Sequence, residues 1–322
     1  RDRIRAAFQQ GGPCLLPRLR VITDLGAEPF PDLPAAVPAL RRRLELTRLV
    51  AELVSRQKDF APGTAIYDLA DSLAGLLEEM SDEGVSFDAL EQPGLADDHA
   101  AHWERSLTFL RIIAPFLDDA SEPDTAARQR KAIELLKTRW QASQPADPII
   151  VAGSTGSRGA TALLMEAVAR LPQGAVVLPG FDFDMPAHAW NSLYSAGKPD
   201  EDHPQFRFIR LLNGLELSPA AVSPWQLHAA PDPERNRLVS LALRPAPVTD
   251  QWLDEGAALL PLAPRASGMT LIEAPGARAE AISVALVLRS AVEKGQTAAL
   301  IAADRTFARR VTVALDRWGI TP

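Results

Sequence analysis

A single cysteine, Cys14, stands among the 322 residues. No intramolecular disulfide can form, and a site built from several thiolates is excluded within this chain. Such sparing cysteine use makes a reducing, cytoplasmic setting the default expectation. Aromatic residues are also scarce, at 6%. No window holds the roughly 20 uninterrupted apolar residues that a membrane-spanning helix needs. The opening residues, with Arg1, Arg3 and Arg5, lack the apolar stretch of a secretory signal. Basic residues are in deficit, with 34 Lys and Arg against 41 Asp and Glu and a net charge of −7. That balance counts against strong non-specific nucleic-acid binding by the chain as a whole and leaves only local clusters as candidates.

What is present is a globular composition, 47% hydrophobic and 23% charged, in a chain long enough for more than one domain. It opens on what reads as the tail of a helix carrying Ile4, Ala7 and Phe8, and it closes on Trp318-Gly319-Ile320-Thr321-Pro322 as a new excursion begins. Both ends suggest a piece of a longer polypeptide.

The stretch 147–184, DPIIVAGSTGSRGATALLMEAVARLPQGAVVLPGFDFD, holds a strand, loop, helix and strand in succession. Residues 148–152 form a short β-branched apolar run and 153–157 a glycine turn. Residues 158–171 then set Ala162, Leu163, Met165, Ala167, Val168 and Leu171 at helical spacing. After the Pro172 to Gly174 break, 175–178 reads as a second buried strand. A right-handed crossover puts the Gly153 loop at the carboxyl edge of a parallel sheet, where open α/β folds bind ligands.

Around this unit, 15–22 (LLPRLRVI) reads as a strand after the Gly11-Gly12-Pro13 turn, and 23–38 as a proline-rich connector. The period then turns helical, with helices expected over 40–56, 66–80, 102–117 and 126–143 and no strand among them. That block packs as its own small bundle. Beyond 181 the chain is irregular, with a short helix over 206–212 and two more over 231–243 and 250–260. Proline density over 245–264 marks a boundary. A second pattern follows, with strands at 269–273 and 298–302 and helices at 277–294 and 305–318. The expected class is α/β: one domain over 1–38 and 145–265, a helical insertion over 39–144, and the start of a second α/β domain over 266–322.

Nucleotide chemistry finds little support in the residues. A phosphate loop of the G-x-x-x-x-G-K-[ST] type needs a lysine for the outer phosphates and a hydroxyl for magnesium. Gly153, Gly156 and Gly159 are spaced by three, and no lysine follows any of them. What remains is a helix N-terminus beside Ser154, Thr155, Ser157 and Arg158, an unspecific anion site at best, and glycines serving a turn with a hydroxyl cap explain it as well. Asp182 and Asp184 follow the next strand and suit a cation, yet two loop carboxylates more often cap a turn. His99 and His102 lack neighbours to complete a metal site, and His203 stands alone. No nucleophile elbow is present. Three basic groups stand out: Arg41, Arg42 and Arg43 with Arg48; Arg128, Arg130, Lys131, Lys137 and Arg139; and Arg305, Arg309 and Arg310. Each is also what a solvated helix face looks like.

Several long words carry a resemblance. AGSTGS at 152–157, ATALL at 160–164, LPQGAVVLPG at 171–180 and Asp202-His203-Pro204-Gln205 closely resemble AddB of the alphaproteobacterial type. Ala298 to Ile301, Asp304-Arg305, Ala308 to Val311 and Arg317 to Ile320 match the same family further on. The resemblance runs along most of the chain and is weakest in the helical block and over 231–264.

It implies a section of the second subunit of the AddAB helicase-nuclease, which resects double-strand DNA breaks. The implied fold is a parallel-sheet, superfamily 1 helicase-like (RecA-like) domain with an all-helical insertion and the start of a second helicase-like domain. The implied partners are single- and double-stranded DNA ends and an AddA-type subunit. ATP with magnesium and an iron-sulphur (4Fe-4S) cluster belong to the whole complex, outside this chain, as does the nuclease. In active helicases of that superfamily the strand matching 149–152 ends in an Asp-Glu pair. Gly153 and Ser154 stand there instead, which implies a motor that has lost hydrolysis and scans single-stranded DNA. No catalytic, cofactor-binding or metal-ligating residue is assigned. The sheet edge and the basic groups offer Ser154, Thr155, Ser157, Arg158, His203, Gln205 and Arg305 as candidate DNA- or anion-contacting residues. The competing expectation is an unrelated α/β enzyme acting on a phosphorylated small molecule through Asp182, Asp184 and the Gly153 loop.

Overall fold

The computed structural model describes residues 2–9, 15–56, 65–86, 89, 122–194, 199–225 and 230–321. They divide into two compact units, Arg1–Pro231 with Val239–Asp254 and Asp232–Leu238 with Glu255–Pro322. A short helix, α1 (Asp2–Gln9), comes first. In the first unit a helical hairpin is formed by α2 (Ala39–Arg56) and α3 (Ile66–Glu83). Leu46, Val50 and Leu53 recur at steps of four and three and meet Ala70, Leu73 and Leu77, which repeat the same stripe on the facing helix. The seam buries all six, at about 1.5–3 kcal/mol for each large aliphatic side chain. Gly84 ends α3 in the left-handed region at φ 70. A side chain there would run into the Arg130 guanidinium, so glycine answers two demands at once.

Helix α4 (Thr125–Ala142) is capped by Asp124, whose carboxylate accepts the Ala127 N–H at 2.7 Å. Its Arg128 is buried and donates to the carbonyls of Pro34 (2.7 Å) and Glu28 (2.9 Å). The proline-rich connector is thereby held on α4. Leu25, in a 3-10 turn within that connector (Ile22–Ala27), enters the same core as Ile133 of α4.

Two strands follow, β1 (Ile149–Ala152) and β2 (Gly174–Val177), joined by α5 (Gly159–Ala169). They pair in parallel with Ile149 opposite Gly174 and Ala152 opposite Val177. Ala160, Leu164, Met165 and Val168 of α5 pack with Val151. Ile150 points to the opposite face and stays exposed, as strand alternation requires. Helices α6 (Ala187–Ser192) and α7 (Phe206–Gly214) then enclose an aromatic core of Trp190, Phe206 and Phe208, with Phe181 stacked on Trp190 at 4.8 Å.

The chain passes between units within α8 (Pro233–Ala242), and two short helices follow, α9 (Gln251–Asp254) and α10 (Leu262–Arg265). The second unit is built on α11 (Ala277–Glu293) against α12 (Arg305–Asp316). Ala281 and Ala285 let the helices approach closely, and Val311, Ala314 and Leu315 fill the seam. No helix among the described residues is long and apolar enough to cross a membrane.

This architecture overturns the expected α/β, RecA-like class. The described chain is mostly helical, and its only sheet among the described residues is the two-stranded β1–β2 pair. The strands expected at 15–22, 269–273 and 298–302 do not form. A strand needs a neighbour for its backbone donors and acceptors, and these runs have none. Leu271 and Ile301 instead stand 86% and 97% exposed. A short apolar run alone does not distinguish a buried strand from an extended segment. The helices expected at 40–56, 66–80, 126–143, 158–171, 206–212, 277–294 and 305–318 coincide with α2, α3, α4, α5, α7, α11 and α12 to within a few residues. The helix expected at 102–117, the Gly11-Gly12-Pro13 turn, Cys14, His99 and His102 lie outside the described residues.

Candidate functional site

Two loops leave the carboxyl ends of the paired strands. In the first, Gly153 and Gly156 take φ of 79 and 69, conformations that favour glycine. Ser154 Oγ accepts the Gly156 N–H at 3.2 Å, while Thr155, Ser157 and Arg158 are exposed. The loop delivers the chain to Gly159, the first residue of α5.

The anion expected at that helix start is already present, and it comes from α3. Glu83 Oε1 accepts the Gly159 N–H at 2.9 Å, and the Asp82 carboxyl lies near enough to the Ala160 N–H to feel its pull. Burial pushes the Asp82 carboxyl above the ordinary range, with the neighbouring Glu83 charge adding to the rise. Arg158, the Ala160 N–H and Arg130 pull in the other direction. Arg130 also donates to the Asp82 carbonyl at 2.8 Å. A helix N-terminus favours negative charge, and here two acidic side chains of the same chain meet that preference.

The second loop is organised by Gln205, 8% exposed. Its Oε1 accepts the Asp182 N–H at 3.1 Å and its Nε2 donates to the Gly180 carbonyl at 2.9 Å. Asp182 Oδ1 accepts the Asp184 N–H at 2.9 Å, a turn-capping role. His203 Nδ1 accepts the Gln205 N–H at 3.1 Å, which leaves Nε2 to donate to the Leu243 carbonyl at 2.7 Å. His203, Gln205 and Asp182 thus hold the loop together. No hydrogen bond joins the 153–158 loop to the 180–205 loop among the described residues. No group of three or more potential metal ligands occurs among them either. Arg305 belongs to the second unit, whereas the other six candidates belong to the first.

One buried network carries no sequence signal. Arg244, 5% exposed, donates to Gln251 Oε1 and to Ser240 Oγ, both at 2.7 Å, and Gln251 Nε2 meets His188 Nε2 at 2.6 Å. A lone arginine between Leu243 and Pro245 reads as surface, and only the tertiary arrangement identifies it as a tie between α8, α9 and α6.

The three basic groups part company in the structure. Arg41 pairs with Glu45 and Glu122, and Arg43 forms a two-pronged bridge to Asp71 at 2.6 and 2.7 Å. Arg42 donates to the Glu122 carbonyl, and Arg48 stays exposed outside these contacts. Arg128 and Arg130 serve the interior contacts described above. Arg305, Arg309 and Arg310 are exposed and have no ion pair among the described residues. Asp304 caps their helix by accepting the Phe307 N–H at 2.7 Å. With Val311, Ala314 and Leu315 buried on one side, these arginines, Val313 and Arg317 share the other side of α12.

No protein-family model, curated protein or solved structure matches the chain.

Proposed function

We propose that the chain is a non-hydrolytic, DNA-contacting section of a double-strand break repair helicase-nuclease subunit similar to AddB, working beside an AddA-type partner. Single-stranded DNA is its ligand. The observation that carries this reading is the arginine face of α12. In a chain of net charge −7, Arg305, Arg309, Arg310 and Arg317 stand exposed without acidic partners among the described residues. Exposed arginines at helical spacing suit the phosphates of a nucleic-acid backbone. Resembling words from 152 to 320 support the family reading, and they include Asp304-Arg305, Ala308 to Val311 and Arg317, in this helix and at its two caps.

Two observations support a role without hydrolysis. Lysine follows none of the loop glycines, and the start of α5 is taken by Glu83. The same two observations weigh against an enzyme acting on a phosphorylated small molecule at that edge.

The test is binding of fluorescein-labelled oligothymidylate to the full chain over a salt series, compared with the triple variant Arg305→Glu, Arg309→Glu, Arg310→Glu. We expect weak binding whose logarithm falls with log salt at a slope near −0.7 per phosphate contact, and a shallower slope with weaker binding in the variant. Binding unaffected by the triple reversal, or magnesium-dependent ATP turnover abolished by changes in the Gly153 loop, overturns the proposal.

A further inference from the structure

The ends of α4 and α5 enclose a cleft of about 190 Å³ in the first unit. Lys137, Trp140 and Gln141 line one side and Leu171 and Pro172 the other, with Gln144 at the end of α4. We propose that this cleft receives one nucleobase of a single-stranded nucleic acid, stacked on Trp140 with an adjoining phosphate on Lys137. The proposal rests on the DNA-contacting reading above and gives it a second contact point.

Size limits the ligand. A cavity of about 150 Å³ admits benzene, whereas pockets for larger organic ligands run from about 300 Å³ upward. The cleft therefore suits one ring system. Its chemistry narrows the choice further. Trp140 is half-buried and packs partly against the core around Ile133, which holds the indole in place and leaves its remaining surface to the cleft. Leu171 and Pro172 supply an apolar wall opposite, and the exposed amides of Gln141 and Gln144 offer donors and acceptors for a base edge.

Charge selects the same ligand. No carboxylate lines the cleft, although acidic residues outnumber basic ones in the chain. The Arg170 charge is matched by Glu166 at 3.0 Å. Lys137 has no ion pair among the described residues, so it is the cation free to meet a phosphate. An aromatic platform beside an unmatched cation is how proteins hold single strands without reading their sequence.

The experiment measures affinity of the full chain for labelled oligothymidylate and for an abasic oligomer of equal length, which keeps the phosphates and lacks the bases. We expect Trp140→Ala to lower affinity for oligothymidylate about 5- to 150-fold, to the abasic level, and to leave abasic binding unchanged. Trp140→Phe should retain most of the difference between the two oligomers. Lys137→Gln should weaken both and flatten the salt slope by about 0.7. If thermal melting shows that Trp140→Ala does not fold, quenching of Trp140 fluorescence in the wild type decides: oligothymidylate should quench it, the abasic oligomer should not, and equal or absent quenching overturns the stacking. Oligothymidylate binding unchanged in Trp140→Ala and Lys137→Gln, but lowered by charge reversal on α12, overturns the cleft proposal and keeps the DNA reading. Binding unchanged by both sets overturns both. Poly-glutamate bound as tightly as oligothymidylate, and released by Lys137→Gln, overturns the proposal in favour of an acidic protein partner.

Discussion

Glu83, the last residue of α3, accepts the N–H of Gly159, the first residue of α5, at 2.9 Å. The contact spans 76 positions of sequence and joins the helical hairpin to the strand-helix-strand unit. Gly159 leaves no room for a side chain there, since an added methyl would lie 2.7 Å from the Asp82 carbonyl oxygen and from Glu83 Cα. The end of one helix thus serves as the cap of another. What looks in sequence like an open anion site is an internal joint.

Removing that joint should be felt in stability. Glu83→Ala loses a charge-assisted hydrogen bond at a helix start, and about 1–2 kcal/mol of unfolding free energy should go with it. Glu83→Gln keeps an acceptor and loses only the charge, for about 0.3–1 kcal/mol. Urea unfolding of the three proteins at neutral pH checks the order. Equal stability of wild type and Glu83→Ala would show that the contact contributes nothing.

Asp82 predicts a pH dependence of opposite sense to the usual carboxylate. Its pKa is raised in the folded chain, chiefly by burial, so ionising it is harder when folded than when unfolded. The stability this group contributes is complete below the ordinary aspartate range and is lost as pH rises through the raised value. Asp82→Asn keeps an oxygen for the Ala160 N–H and removes the charge. The variant should therefore show a smaller loss of stability between mildly acid and neutral pH, read as midpoints of urea unfolding across that range.

The helices were legible because their signal is local. The stripe of Leu46, Val50 and Leu53 and the cap at Asp124 need no knowledge of what they meet. Strands depend on partners, so Val151 found a place opposite Val176 whereas Ile301 found none. The candidate site follows the same division. The turn glycines Gly153 and Gly156 and the exposed Arg305 group were visible as residue types. The Glu83 carboxylate at the start of α5, the bridging amide of Gln205 and the buried Arg244, which also donates to the Asp184 carbonyl at 3.4 Å, depend on chain segments brought together over 76, 23 and 60 positions, respectively. No local pattern records those distances.

Glycine substitutions separate backbone freedom from close packing. Gly75 lies within α3 and has open space where a side chain would go. Gly75→Ala should stabilise the protein by about 0.5–1 kcal/mol through better helix propensity. Gly174 opens β2 with the Val168 carbonyl oxygen directly in the path of a Cβ. Gly174→Ala must shift backbone on one side or the other, and a loss of about 1–3 kcal/mol is expected. Thermal or urea unfolding of the pair should move in opposite directions. A stabilising Gly174→Ala would contradict the packing of α5 on β2.

Gln205 gives the most discriminating substitution pair. Its two amide atoms work in opposite senses, Oε1 accepting from Asp182 and Nε2 donating to the Gly180 carbonyl. Gln205→Leu leaves both backbone groups without their partner inside a buried loop, at about 1–3 kcal/mol each. Gln205→Glu keeps the acceptor and turns the donor into an oxygen facing a carbonyl. When ionised, the introduced carboxyl repels Gly180 O, and when protonated it can donate to it. Its folded pKa is therefore expected above the unfolded value of about 4.3. The stability it supplies is present below that value and lost as pH rises. Gln205→Glu should then approach wild type in acid and fall away toward neutrality, while Gln205→Leu stays destabilised by a constant amount. Parallel pH profiles for the two variants would show that the orientation of the Gln205 amide is not what holds the loop.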